Sequence, residues 1–301
     1  MGCKRVSLLT ATSGSPNRVY ALLRLLHSAD APLTVDDITG WLNPRNLVGG
    51  SEVYRPKEGL DQTLSAARSL RLISEGAPVS PIVSVPDTIE AFADVAHRQL
   101  CSLPADDANV VVLRVYAWFL IRSDQNPSSL YRPGREALVA EIDGAFPRSD
   151  GGEAKIFNST KLAPWVRWVT FLGMGSELPN TPFYPHPAER VLRELRAIAA
   201  ESDFDRDLDF REVQSLLSAR MPYLDGGEYF LEMSQRVGFR GRFMSRVLSN
   251  VLRDLHEERQ IQLIALGDSA DRVPFAPDPM DRTGLPGANR IRIIKEVQHA
   301  L

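Results

Sequence analysis

Between Arg242 and Leu255 the apolar residues return every three or four positions. On a wheel of about 100° per residue, Met244, Val247, Leu248, Val251, Leu252 and Leu255 fall on one side. Arg242, Arg246, Ser249 and Arg253 fall within a wedge of roughly 60° on the other. This predicts a helix with one face to bury and a cationic face left in water. A polar break follows at Glu257-Glu258-Arg259-Gln260, and then the β-branched run Ile261-Gln262-Leu263-Ile264, which reads as a strand. A helix leading into a strand and a polar loop, Gly267 to Arg272, is the closing half of a winged helix-turn-helix. The pattern predicts hairpins near residues 72–85, 172–185 and 259–276.

The same order occurs earlier in the chain. Ser15-Pro16 starts a helix whose apolar side is Val19, Leu22, Leu23, Leu25 and Leu26. Thr34-Val35-Asp36-Asp37 starts a second, with Asp in place of the usual Glu of a capping box, and Asn43-Pro44 stops it. A polar loop, Arg45 to Lys57, leads to a third helix over Gly59–Arg71. The Gly76-Ala77-Pro78 turn then separates two short extended runs. In the middle, Thr88–Leu100, Asn109–Arg122, Tyr131–Ile142 and Lys155–Leu172 read as helices. A Gly/Asp-rich loop spans Asp143 to Ala154, and Pro179-Asn180-Thr181-Pro182 reads as a turn. Pro187–Glu201 and the helix capped by Asp209-Phe210-Arg211-Glu212 precede the segment described first. The fold class expected is therefore mainly α with short β-hairpins, as two to three tandem winged helix-turn-helix domains. They span 1–86, 87–187 (a degenerate copy) and 188–301, the last with a Pro/Gly-rich tail.

Composition narrows the function classes. The net charge of -3 excludes wholesale wrapping by nucleic acid, but the charge is uneven. Residues 76–239 carry 16 basic against 23 acidic groups, whereas 240–301 carry 10 against 8. Arg supplies 30 of the 35 basic residues, a bias that suits phosphate contacts. No apolar run approaches the ~20 residues needed to cross a bilayer, so no membrane partner is expected. Cys3 and Cys101 give no disulfide framework, which fits a reducing cytoplasm.

Catalytic and metal motifs fail on inspection. Asp203-x-Asp205-x-Asp207 opens like a calcium loop, but Leu208 and Gln214 stand where Gly and Glu are required. His256-Glu257-Glu258-Arg259-Gln260 lacks the second His of a zinc protease. Gly49-Gly50-Ser51 and Gly173-x-Gly175-Ser176 are too short to cradle a phosphate. Trp165 and Trp168 could stack bases, yet they share a face with Val169 and Leu172, which points to the core. The expectation is a non-catalytic protein without cofactor or metal. Its candidate nucleic-acid contacts are Arg240, Arg242, Arg246, Ser249 and Arg253, with DNA as the partner.

Three sets of residues carry a family resemblance: Trp41-Leu42-Asn43-Pro44; Phe157-Asn158-Ser159-Thr160 leading to Trp165-Val166-Arg167-Trp168 and Leu172-Gly173; and Leu248-Ser249 to Ile261 with Pro277-Asp278-Pro279. With them the layout resembles the DpdG accessory proteins of bacterial gene clusters that place 7-deazaguanine bases in DNA and restrict foreign DNA. The resemblance implies a DNA-binding or adaptor subunit of a DNA-modification or phage-defence system, with helicase and ATPase subunits as partners. It carries no catalytic residues. The competing reading is a kleisin-docking-like scaffold subunit of a chromosome-organising complex, which would dispense with direct DNA contact.

Overall fold

A computed structural model describes residues 7–42, 56–126, 134–146, 155–178, 181–202, 206–267 and 271–295. The chain is mainly helical, with a few short antiparallel strands. In order they are α1 (Pro16–Ser28), α2 (Val35–Leu42), α3 (Pro56–Ser69), α4 (Ile89–Cys101), α5 (Val111–Gln125), α6 (Arg135–Gly144), α7 (Ser159–Phe171), β1 (Gly175–Leu178), β2 (Thr181–Pro185), α8 (Ala188–Ser202), β3 (Leu208–Asp209), α9 (Phe210–Arg220), α10 (Glu228–Arg236), α11 (Arg246–Glu257), β4 (Ile261–Ile264), β5 (Val273–Pro274), β6 (Gly287–Ala288) and β7 (Arg290–Ile293). Among the described residues no helix is long and apolar enough to cross a membrane. Asn43-Pro44, Gly49-Gly50-Ser51, most of the Gly/Asp-rich loop, Pro179-Asn180, and Asp203 and Asp205 lie outside the described residues.

Two compact units form. One comprises Met1–Val112 with Asn158–Leu172, the other Leu113–Phe157 with Gly173–Leu301. In the first unit α1 packs on α2, α3, α4 and α7. Leu22, Leu23, Leu60, Phe92 and Trp165 are fully buried there. The capping box of α2 closes in both directions: the Thr34 N–H donates to Asp37 Oδ2 at 3.0 Å, and the Asp37 N–H to Thr34 Oγ1 at 3.1 Å. The Thr34 hydroxyl, donating to Asp37 Oδ2 at 2.6 Å, and then the Thr34 N–H hold the Asp37 carboxyl below the usual range. Ser15 occupies the N-cap of α1 without a side-chain cap bond, so Pro16 at N1 sets that start. The hairpin expected near 72–85 contracts to one bridge, Ile73 with Pro81.

In the second unit Asp209 caps α9 by accepting from the Arg211 and Glu212 amides. β1 and β2 form the expected antiparallel hairpin. Tyr116 is buried against Tyr223 and Phe183, and its hydroxyl donates to the Met174 carbonyl at 2.6 Å. The hairpin expected over 259–276 does not form as such. β4 pairs instead with β7, Leu263 opposite Ile291 and Ile261 opposite Ile293. β7 in turn pairs with β3, so the sheet order is β3-β7-β4. Pro274 has no N–H to offer a ladder, whereas Arg290-Ile291-Arg292-Ile293 alternates and buries both isoleucines. β5 and β6 form a separate two-stranded pair within the long connection. The segment Tyr223–Gly238 contains α10.

One local feature recurs in both units. α3 and α11 each end in an arginine with left-handed backbone, Arg71 at φ 51° and Arg259 at φ 58°. After α3, the Leu72 N–H reaches the Ala67 carbonyl and the Arg71 N–H the Arg68 carbonyl. After α11, the Gln260 N–H reaches Leu255 and the Arg259 N–H reaches His256. Both are Schellman closures that turn a helix into an extended run without glycine.

Candidate nucleic-acid interface

The five candidate residues separate into two groups. α11 begins at Arg246, later than the pattern predicts, because Ser245 is its N-cap and accepts from the Leu248 N–H. Arg240 and Arg242 therefore lie in the segment before the helix, both exposed. Arg246 is half-buried on the first turn. These three arginines make no ion pair among the described residues. Phe243, between them, stays 45% exposed.

Ser249 and Arg253 correct the expectation of an exposed wedge. Ser249 is fully buried and accepts from the Ala276 N–H at 2.9 Å. The Arg253 guanidinium lies 3.1 Å from Asp281, with only 7% and 12% of the two side chains exposed. It also donates to the Ala276 carbonyl at 3.0 Å and lies over the Phe275 ring. The chain from Phe275 to Leu285 thus folds over the polar face of α11. A helical wheel contains no term for a partner more than 20 residues away, which is why these positions read as solvated.

Two carboxylates missed by the sequence reading close the N-terminus of α11. Asp124 on α5 accepts from the Arg246 N–H at 2.6 Å. Asp225, buried just before α10, accepts from the Ser245 N–H and, at 2.6 Å, from its hydroxyl. They lie 122 and 20 residues from their partners, so no local motif announces them. The positive end of the helix dipole is thereby already matched to protein charge.

Burial pushes the Asp124 carboxyl up to about 6; the Arg246 amide opposes this, Asp225 adds to it and the Arg246 charge pulls down. Burial also raises Asp225, against the hydrogen bonds from Ser245. A raised carboxyl binds its proton more readily in the folded state than in the unfolded chain, where it titrates near 4. Stability contributed by this group is therefore lost as pH rises from about 4 to about 6. Asp124→Asn keeps an acceptor for Arg246 and removes the buried charge. It is expected to raise the melting temperature by a few degrees near pH 7.5, with the gain shrinking near pH 4. A gain independent of pH in thermal melts would refute this account of Asp124.

Other candidate chemistry is absorbed by the fold. His256 accepts the Leu263 N–H at Nδ1, 3.2 Å away, tying the end of α11 to β4. Trp165 and Trp168 are buried, and Trp165 Nε1 donates to the Val112 carbonyl at 3.0 Å. Among the described residues no group of three His, Cys, Asp or Glu could hold a metal ion.

A family model described as DpdG-like matches residues 6–269. No curated protein and no solved structure matches the chain. The family match takes in most of the chain, including the Phe239–Phe243 segment, α11 and β4, and on that extent the chain belongs to the DpdG-like family.

Proposed function

We propose that this protein is a non-catalytic accessory subunit of a bacterial DNA-modification or phage-defence system, acting in the cytoplasm as a DNA-contacting adaptor. Membership of the DpdG-like family supports the accessory role. The observation that carries the DNA contact is Arg240 and Arg242, exposed cations ahead of α11 that make no ion pair among the described residues, with the half-buried Arg246 beside them on the first turn. Ser249 and Arg253 drop out of the contact set, because both are engaged within the protein. A tandem winged-helix ancestry draws support from the matching closures after α3 and α11, and from the β3-β7-β4 order with the last strand central. The helicase and ATPase subunits of such a system are the protein partners this reading requires.

The test is DNA affinity across a salt series. Each neutralised phosphate contributes a log-log slope of about -0.9 on duplex or -0.7 on a single strand. Arg240→Ala, Arg242→Ala and Arg246→Ala combined are expected to flatten the slope by about 2–3 and to weaken binding, with circular dichroism unchanged. An unchanged slope and affinity would sink the DNA-contact reading and leave a protein scaffold in its place.

A further inference from the structure

We infer that the Phe239–Phe243 segment binds single-stranded nucleic acid, with Phe243 as a stacking platform and Arg240 and Arg242 as phosphate contacts. This rests on the DNA-contact reading above and specifies its ligand class. The segment is pinned at both ends. The Phe239 N–H donates to the Ser234 carbonyl at 2.8 Å, and the Phe239 ring meets Phe230 edge-on at 6.5 Å. Five residues later Met244 is buried, and its N–H donates to the Pro274 carbonyl at 3.1 Å. Between these anchors Arg240, Gly241, Arg242 and Phe243 are all exposed. A Cβ at Gly241 would lie 3.1 Å from the Phe239 ring and 3.3 Å from the Phe243 carbonyl. The chain is therefore drawn tightly over Phe239, and Phe243 is held outward rather than folded in.

The electrostatics choose between strands. A helix that enters a duplex groove offers its first-turn amides to phosphate. Here those of Ser245 and Arg246 belong to Asp225 and Asp124, and the two carboxylates repel a phosphate row laid against that turn. The free cations stand ahead of the helix, directly before an exposed aromatic ring. In a duplex the base faces are stacked away from any side chain. A single strand can turn a base onto Phe243 while Arg240 and Arg242 meet the flanking phosphates.

The experiment is fluorescence anisotropy on the full-length protein. The probe is a labelled mixed-sequence DNA of about 20 nucleotides, long enough to cover a single-strand site, used alone and annealed to its complement. The single strand is expected to bind at least about tenfold tighter. Phe243→Ala should weaken single-strand binding about tenfold, the effect of one lost base–aromatic stack, and leave duplex binding and the salt slope unchanged. Phe243→Tyr should restore the affinity. Equal or tighter duplex binding, or no effect of Phe243→Ala, overturns the inference. If Arg240→Ala with Arg242→Ala still weakens both probes in that case, the DNA contact survives and only the strand preference falls. If the wild-type protein binds neither probe, both fall together.

Discussion

Arg253→Ala is expected to destabilise the protein by about 3 kcal/mol, the cost of leaving one member of a buried ion pair without the other. The side chain joins α11 to the chain that covers it, through Asp281 and the carbonyls of Ala276 and Leu285. Arg253→Lys should recover little, because an ammonium cannot serve three separated acceptors in one plane. The pH dependence has a definite sign. Burial raises the Asp281 carboxyl, but Thr283 and the Arg253 charge outweigh it and hold the group below its usual range. Stability from a depressed carboxyl is present above its unfolded value, near 4, and is lost as pH falls through the folded one. The gap between wild type and Arg253→Ala in denaturant titrations should therefore narrow below about pH 4. A loss under about 1 kcal/mol at neutral pH would mean that the residue is a solvated surface cation after all.

Trp165→Ala is expected to cost more, about 3–5 kcal/mol, since it empties a fully buried tryptophan site and orphans the Val112 carbonyl. Trp165→Phe should recover most of the packing and none of the hydrogen bond. The measurement is again a denaturant midpoint, read beside nucleic-acid affinity under native conditions. A folded Trp165→Phe variant with normal stability but impaired DNA binding would contradict the assignment of this ring to the core and revive a stacking role.

Residues with local causes were readable in the sequence. The reciprocal bonds of Thr34 and Asp37, the Asp209 cap, the apolar stripe of α11 and the burial of Trp165 and Trp168 all follow from positions within one or two helical turns. So does the β1–β2 hairpin, where Pro and Gly leave few other arrangements.

What the sequence could not reveal has a common physical origin. The polar wedge of α11 was read as solvated because a wheel measures only which way a side chain points. Tertiary structure supplied Asp281 and Ala276 to meet Arg253 and Ser249, and it supplied Asp124 and Asp225 to close the helix start. β4 found its partner in Arg290–Ile293 rather than in the nearer Val273-Pro274 for a related reason. Strand pairing is decided by which backbone can complete a ladder and bury its alternate side chains, not by proximity along the chain. Local sequence fixed the helices and their apolar faces. Only the folded chain decided which polar residues remained free to meet a ligand, since desolvating a charge or hydroxyl is tolerated once distant groups satisfy it.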